Sequence, residues 1–269
     1  MKHRDGGFTM SQDGEEDIRG AYCAMTILSL LNLPISLPPD SPTNITGSET
    51  FLTGLPEWIG RCQSFEGGIG GAPNNEAHGA YAFCGLACLS IIGPPQKSIA
   101  RYLNLPSLIA WLSSQQRAPE GGFAGRTNKL VDGCYSHWVG GCWALLSAAL
   151  QNPDPEMDLW SREGLVRYIL CCCQHKKGGL RDKPSKHPDA YHSCYNLVGL
   201  GAAQNYFEFV ENEKMEVLPL TAPYGWSWKG EADVPCEETD RVNFVHPVFV
   251  IPFEKVMECR TYFEEKEGF

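Results

Sequence analysis

The sequence predicts an all-helical protein in which helical hairpins form an inner and an outer layer. The first observation is a repeat: glycine pairs stand at residues 6–7, 67–68, 121–122 and 178–179, which gives a period of about 57 residues. The second is that a polar residue follows each second glycine by ten positions, namely Asp17, His78, Asp132 and Asp189. The third is that patterns typical of β-strands are few.

The inner layer is predicted from small, apolar runs that follow the four polar residues. These runs cover residues 21–31, 81–92, 134–146 and 194–203. Each is apolar on nearly every side, so we expect its helix to be buried. A second helical stretch precedes the next glycine pair, at 51–62 with Trp58, at 105–116 with Trp111 and at 163–173 with Tyr168. The amphipathic pattern of these stretches predicts the outer layer.

The hairpins divide a single domain, 1–269, into four units and a tail. The units cover about 6–62, 63–116, 117–173 and 174–213. Proline-rich linkers at 34–42 and 93–95 separate helices. The tail, 214–269, differs in composition, and we expect it to be a closing cap. It consists of a proline- and tryptophan-rich loop at 223–235 and a helix at 253–263.

Composition narrows the class of function. Lysine and arginine total 22 against 32 aspartate and glutamate residues, a formal charge of −10, whereas a protein that binds nucleic acid or anionic membranes needs a basic face. The longest apolar run, 21–31, is shorter than the roughly 20 residues that span a bilayer, so we expect no integral membrane protein. The N-terminus lacks the apolar segment of a secretory signal. The 12 cysteines therefore predict reduced thiols in a cytoplasmic protein.

The glycine-pair loops of such an array lie at one end, so their polar residues converge on one mouth. These residues are His78, Arg126, Lys129, Asp132, Cys134, Asp182, Asp189 and His192. Asp132, Cys134 and His192 are zinc-ligand types, and three protein ligands leave a fourth position open, as in catalytic sites. On local sequence alone, a packed core thiol and a hydrogen-bonded core histidine are the more common roles, but the shared loop end favours a metal.

Positive charge at the same mouth suggests an anion site. Arg126 and Lys129 lie beside His78, which suits a diphosphate, and the hydroxyl of Tyr135 can donate a further hydrogen bond. The alternative is a solvated loop with ordinary surface charges. Asp182 is a candidate magnesium ligand beside a phosphate, and its alternative role is that of a simple turn residue.

Aromatic residues follow the polar loops, where they could form the wall of a ligand cavity. They are Tyr22, Tyr81, Phe83, Trp138, Trp143, Tyr191 and Tyr195. One interpretation is a tunnel for a long apolar ligand. The other is core packing, which is the common role of such residues.

Three segments carry a resemblance to a known family. GGIGGAPNNEAHGAYAFCGLA (67–87), EGGFAGRTNKLVDGCYSHW (120–138) and RDKPSKHPDAYHSCYNLVGL (181–200) resemble the repeats of protein prenyltransferase beta subunits, most closely those of protein farnesyltransferases. The similarity extends from about residue 17 to about residue 263, which is nearly the whole chain.

The resemblance implies an α-α toroid, an α6/α6 barrel of helical hairpins, active only as a heterodimer with an alpha subunit. It implies transfer of a farnesyl group from farnesyl diphosphate to the cysteine of a C-terminal CaaX tail. The family's zinc ligands match Asp132, Cys134 and His192, and its diphosphate contacts match His78, Arg126, Lys129 and Tyr135. Its farnesyl-tunnel positions match Arg19, Tyr22, Tyr81, Cys84 and Trp138, and Tyr191 matches a tyrosine between peptide and lipid. Its magnesium aspartate matches Asp182, which with Tyr135 and the three zinc ligands completes the expected catalytic set.

Three other interpretations stay open. The geranylgeranyltransferase type I beta subunit is the nearest, because residues 185–189 have some of its character, although that enzyme tends to carry lysine in place of Asp182. The second is a non-catalytic fragment: a closed toroid of six hairpins needs about 340 residues, so we expect a toroid that is incomplete at the N-terminus. A terpene cyclase is more distant, because the sequence contains no DDxxD or DxDD cluster.

Overall fold

A computed structural model describes residues 1–12, 14–45, 47–151, 158–213, 215 and 218–266. Its α-helices are α1 (Ile18–Leu30), α2 (Pro42–Ile45), α3 (Leu55–Arg61), α4 (Gly79–Ile92), α5 (Pro95–Tyr102), α6 (Leu105–Gln115), α7 (Tyr135–Trp138), α8 (Cys142–Leu150), α9 (Arg162–Tyr168), α10 (Ala190–Gln204) and α11 (Phe253–Glu265). A π-helical turn, Ile169–Cys173, extends α9, and 3-10 turns cover Ala222–Gly225 and Glu238–Asp240. Parts of the predicted third unit (152–157) and of the predicted tail (214, 216–217 and 267–269) lie outside the described residues.

The inner layer is a row of helices in which α1, α4, the α7–α8 pair and α10 pack in succession. The core residues of α4 cover all of its sides, as its uniformly apolar sequence predicts. The expectation of burial is wrong for part of α1 and α10, because Cys23 and Leu197 are exposed within the predicted runs. These two helices are the ends of the row, so each has an inner-helix neighbour on one side only.

The glycine pairs recur because two close contacts recur. In the second unit, Gly67 has a φ of +100°, and a Cβ there would lie 2.2 Å from the carbonyl oxygen of Ser107. The next glycine lies against Trp111, where a Cβ would be 2.5 Å from a ring carbon. The first and third units repeat both contacts, with the rings of Trp58 and Tyr168. A glycine pair therefore seats each of these loops on the outer helix of its own unit.

The polar residues ten positions later are helix caps. Asp17, His78 and Asp189 directly precede α1, α4 and α10, and each side chain accepts a hydrogen bond from a backbone N–H of the first turn. Asp132 accepts in the same way from the backbone N–H of Cys134, at 2.9 Å, in the turn that leads into α7. Such a cap satisfies an N–H group that has no partner inside the helix. The regular spacing thus marks the residue that ends each glycine loop and starts each inner helix.

Two local features depart from the predicted helices. The run predicted as one helix at 134–146 is interrupted between α7 and α8, where Gly140 and Gly141 lower helix propensity. The predicted linkers are not wholly irregular, because α2 and α5 lie in or directly after them. Both additional helices are short and contain proline at or near the first position, where proline is tolerated.

The fourth unit differs most from its prediction, because strand β1 (Asn205–Phe209) follows α10 directly. It pairs antiparallel with β2 (Trp226–Glu231), with Phe209 opposite Trp226 and Asn205 opposite Glu231. The prediction of a loop throughout 223–235 is therefore wrong over β2. The two strands are separated along the chain, so neither local pattern reveals its partner.

The predicted helix at 253–263 is confirmed by α11, and the tail closes on the first inner helix. Arg260 donates from Nη1 to the carbonyl oxygen of Ser29 at 2.7 Å, and Tyr224 donates to the same oxygen at 3.0 Å. Nearby, the hydroxyl of Tyr22 donates to the carbonyl oxygen of Val248 at 2.7 Å. The tail thereby contacts α1 near both of its ends, at Tyr22 and at Ser29.

No helix in the described part of the chain is long and apolar enough to cross a bilayer. All 12 cysteines lie within the described ranges, and every one is a free thiol.

Candidate functional site

Three side chains predicted to bind a metal lie together in the structure. Asp132 and Cys134 come from the turn before α7, and His192 comes from the first turn of α10. One ligand atom of each residue lies within 4.8 Å of the other two, and Nε2 of His192 is 3.3 Å from Oδ1 of Asp132. Sulfur, nitrogen and carboxylate oxygen form a donor set that zinc accepts. The helix caps therefore bring the predicted ligands of two units to one place.

Asp189 orients the histidine of this triad. One carboxylate oxygen accepts from the backbone N–H of His192 at 2.7 Å, and the other lies 2.7 Å from its Nδ1. These hydrogen bonds lower the pKa of Asp189, so the carboxylate is ionised and Nδ1 donates to it. In the neutral ring, Nε2 then presents its lone pair to Asp132. Two acceptors at that distance need a proton or a cation between them, which is the arrangement of a carboxylate–histidine–metal triad.

The thiol of Cys134 is buried beside the same carboxylate. Burial, and then the negative charge of Asp132, raise the pKa of this thiol well above its ordinary value. The hydroxyl of Tyr191 lies close to the thiol and acts on this pKa in the opposite direction, with a smaller effect. A bound cation offsets the effects of burial and of the Asp132 charge on this pKa, because it stabilises the thiolate that ligates it. The residues present therefore fit a zinc ion.

The predicted anion site centres on a neutral histidine. Nδ1 of His78 accepts from the backbone N–H of Ala80 at 3.1 Å, so the proton is on Nε2, which lies 3.1 Å from the hydroxyl of Tyr135. Burial, and then the charge of Arg126, lower the pKa of His78. His78 therefore supplies a hydrogen-bond donor to this mouth and no positive charge.

The two predicted cations at this mouth are solvent-facing. Arg126 donates to Glu76 at 3.2 Å, and Lys129 is exposed. Glu76, two residues before His78, was not among the predicted site residues. It partly neutralises Arg126, so the field at this mouth is weaker than the sequence predicts.

A continuous row of aromatic rings runs from the triad to α1. Tyr191 contacts Tyr195 with ring centroids 4.7 Å apart, and Tyr195 contacts Trp138 at 4.5 Å. Phe83 links Trp138, at 5.8 Å, to Tyr22, at 5.9 Å. The indole N–H of Trp138 also donates to the Tyr191 hydroxyl at 3.0 Å. Two predicted tunnel residues, Tyr22 and Trp138, and the predicted interface tyrosine, Tyr191, thus lie in one row of packed rings, and their role toward a lipid stays a prediction.

The remaining predicted tunnel residues occupy different environments. Arg19 forms an ion pair with Asp17 at 2.6 Å and lies over the ring of Tyr81 at 5.6 Å. Cys84 is buried in the core, where desolvation raises the pKa of its thiol. The roles of Arg19, Tyr81 and Cys84 toward a lipid stay predictions.

Asp182 lies next to the triad but is already paired. Its carboxylate accepts from the ammonium group of Lys183, so a magnesium ion there must displace this lysine. Its backbone carbonyl accepts from the N–H of Gly133 at 2.7 Å and from the hydroxyl of Tyr168 at 2.9 Å.

Tyr168, Glu76 and the second role of Asp189 are not among the site features that the sequence predicts. Of these, Asp189 carries a readable signal, because it stands three residues before His192 at a predicted helix start.

Comparison with known proteins agrees with this architecture. The prenyltransferase alpha-alpha toroid domain family matches residues 1–251. The protein farnesyltransferase subunit beta of Pyricularia oryzae is 54% identical, over all of this chain and 53% of that protein. The subunit of the same name from Schizosaccharomyces pombe is 34% identical, over all of this chain and 63% of that protein. The solved structure of Candida albicans protein geranylgeranyltransferase-I complexed with GGPP matches with a TM-score of 0.60 at 22% identity, over all of this chain and 65% of that one.

The chain spans between half and two thirds of the length of these two farnesyltransferase subunits. The match to the Candida structure concerns the fold, and together with the family match it confirms the predicted toroid architecture. The repeated glycine loops, the capped inner helices and the family match over 1–251 lead to one conclusion: the chain belongs to the prenyltransferase alpha-alpha toroid family.

Proposed function

We propose that the chain is the catalytic beta subunit of a protein farnesyltransferase, which transfers a farnesyl group from farnesyl diphosphate to the cysteine of a CaaX tail. One observation carries the proposal. Asp132, Cys134 and His192 converge on one centre, with Asp189 behind the histidine, in a chain 54% identical to a subunit with that name.

The triad would hold a zinc ion. When bound, zinc supplies Lewis-acid chemistry that lowers the pKa of a ligated thiol, so that a substrate cysteine is a thiolate at neutral pH. The chain's own contribution is orientation: Asp189 fixes the ring of His192, and Tyr191 lies against the thiol of Cys134. Asp182 would hold magnesium beside the diphosphate once Lys183 has moved away.

The second contribution is stabilisation of the leaving group. The Nε2–H group of His78 donates to the hydroxyl of Tyr135. In this proposal the proton of that hydroxyl donates to a diphosphate oxygen, and His78 exchanges the tyrosine for a second diphosphate oxygen. Arg126 and Lys129 add positive charge at the rim, and Arg126 exchanges Glu76 for the phosphate. Fixed donors of this kind stabilise charge that grows on the departing group. The aromatic row would line the farnesyl chain.

The proposal includes a partner and a compartment. The subunit would act as a heterodimer with a prenyltransferase alpha subunit in the cytoplasm, on CaaX-tailed proteins. The acidic balance of the chain, −10 in formal charge, gives no support to a nucleic-acid partner.

Metal analysis tests the centre. Cys134→Ser should lose most of the zinc that the purified chain carries, because a neutral hydroxyl is a poor zinc ligand. Cys62→Ser is the matched control: this thiol is equally buried and donates to the backbone carbonyl of Trp58. It should retain zinc. Equal zinc content in the two variants would contradict the assignment.

Co-expression with an alpha subunit tests the reaction. The purified pair is assayed for transfer to a CaaX peptide from the C15 and the C20 diphosphate. Preferential C15 transfer supports the proposal. A preference for C20 indicates a geranylgeranyltransferase type I subunit instead, and transfer of neither indicates a non-catalytic subunit.

A further inference from the structure

The outer helices of the first three units carry a large aromatic residue at the same place, under the second glycine of the pair. In two of them it is tryptophan, at Trp58 and Trp111, and neither indole N–H has a hydrogen-bond partner in the described part of the structure. In the third it is Tyr168, which is 2% exposed. Its hydroxyl donates to the carbonyl oxygen of Asp182 at 2.9 Å. Among these three units, the aromatic residue thus makes a polar contact only in the third. The third unit is also the one that contains Asp132 and Cys134.

The carbonyl that Tyr168 contacts also holds the metal loop. It accepts from the backbone N–H of Gly133 at 2.7 Å, and Gly133 stands between the two proposed ligands Asp132 and Cys134. The loop has no free space at this point, because a Cβ on Gly133 would lie 2.7 Å from the carbonyl oxygen of Arg181. A shift of the Asp182 carbonyl therefore moves the backbone that joins both ligands.

The backbone that follows Tyr168 differs from the ends of the other two outer helices. The π-helical turn Ile169–Cys173 follows Tyr168 directly, whereas α3 and α6 end without such a turn. The turn brings Sγ of Cys173 to 3.7 Å from the same Asp182 oxygen. Single π-helical turns inside or at the end of α-helices are frequent at functional sites.

The other side of the loop is held by a buried amide. Asn196 is fully buried, and its Nδ2 donates to the carbonyl oxygens of His192, at 2.8 Å, and Arg181, at 3.2 Å. The side chain also touches Gly133, since a Cβ there would lie 2.5 Å from Nδ2. The histidine helix and the Arg181–Asp182 segment are thereby held against one metal loop.

We propose that Tyr168 is a positioning residue for the metal centre: its hydroxyl fixes the Asp182 carbonyl, which fixes Gly133 and so sets Asp132 and Cys134 opposite His192. This inference rests on the proposed zinc centre. Tyr168 touches no proposed ligand atom and acts only through the backbone. Hydrogen-bonded groups behind metal ligands typically change affinity by about 10- to 100-fold when removed.

The test measures the affinity of the full chain for Zn²⁺ by competition with a chromophoric chelator, and the absorption spectrum of the Co²⁺-loaded chain. Tyr168→Phe removes the hydroxyl alone and should weaken Zn²⁺ binding about tenfold or more and alter the Co²⁺ bands. Tyr168→Trp, which restores the residue of the first two units, should show the same loss. The matched control is Tyr224→Phe, which removes a tyrosine–carbonyl hydrogen bond of 3.0 Å in the tail. It should leave both readouts unchanged.

The outcomes separate this inference from the proposed function. Zn²⁺ affinity and Co²⁺ spectrum equal to wild type in Tyr168→Phe would overturn the positioning role, whatever the transfer assay gives. A wild-type chain that binds no Zn²⁺ would overturn the zinc centre and the positioning role together. Tight binding by wild type and weak binding by Tyr168→Phe, without farnesyl transfer, would support the positioning role and contradict the proposed reaction.

Discussion

The first three units and the fourth share one sequence pattern but use it differently. In the first three, the glycine pair packs onto an outer helix; in the third unit, for example, a Cβ on Gly121 would lie 2.4 Å from the carbonyl oxygen of Gly164. In the fourth unit a Cβ on Gly178 would meet nothing within 4 Å, and a strand follows the inner helix. The loop that is released from this packing carries Asp182, and the following helix carries His192. The loop that carries Asp132 keeps this packing, so the metal triad combines two residues of a packed unit with one residue of the unit that lacks the contact.

Alanine substitutions of Gly121 and Gly178 test this difference most directly. Gly121→Ala should lower the free energy of unfolding by about 3 kcal/mol, because it adds overpacking to a positive φ of +81°. Gly178→Ala should cost about 1 kcal/mol, because only its φ of +94° opposes the change. Urea denaturation of both variants measures the two costs. Equal losses would show that the fourth pair packs like the others.

Acid should destabilise the tail through a buried histidine. Burial lowers the pKa of His246 to about 4, and its Nδ1 already accepts from the N–H groups of Val248 and Phe249. The folded pKa is lower than that of the unfolded chain, 6.5. The stability that neutral His246 contributes is therefore complete above pH 6.5 and is lost as the pH falls toward 4. The free energy of unfolding falls by about 3 kcal/mol in total.

Urea denaturation at pH 7 and pH 4 checks this expectation. His246→Gln should lose less stability between the two pH values than wild type does. His187→Gln changes an exposed position and should follow wild type. Parallel losses in all three proteins would place the acid sensitivity elsewhere.

A smaller effect distinguishes the caps of the first and fourth units. Asp17→Ala and Asp189→Ala should each cost about 1 kcal/mol of stability through loss of a helix cap. Asp189→Ala should also weaken Zn²⁺ binding about 10- to 100-fold, because the carboxylate orients His192. Asp17→Ala should leave Zn²⁺ affinity unchanged. Denaturation and chelator competition on the same samples separate the two roles, and equal Zn²⁺ affinities would reduce Asp189 to a cap.

The sequence predicts the architecture and the triad for the same reason. A period of glycine pairs and polar caps fixes which loop ends meet, so Asp132 and His192 can be placed together without any local motif. The β1–β2 pair is not predictable in this way, because it depends on partners far apart along the chain. The ion pair between Asp182 and Lys183 is also not predictable from the sequence, because the order of two adjacent residues does not show where their side chains point.

The caps also restrict how this site can change. Asp17, His78, Asp132 and Asp189 each use one side-chain atom to start a helix or turn. His78 and Asp189 use a second atom toward Tyr135 and His192. A substitution that alters the chemistry at such a position also removes a cap unless the new residue can accept the same hydrogen bond. A change of activity on this scaffold that keeps the caps is therefore limited at these positions to residue types that can cap a helix, mainly aspartate, asparagine, serine and threonine.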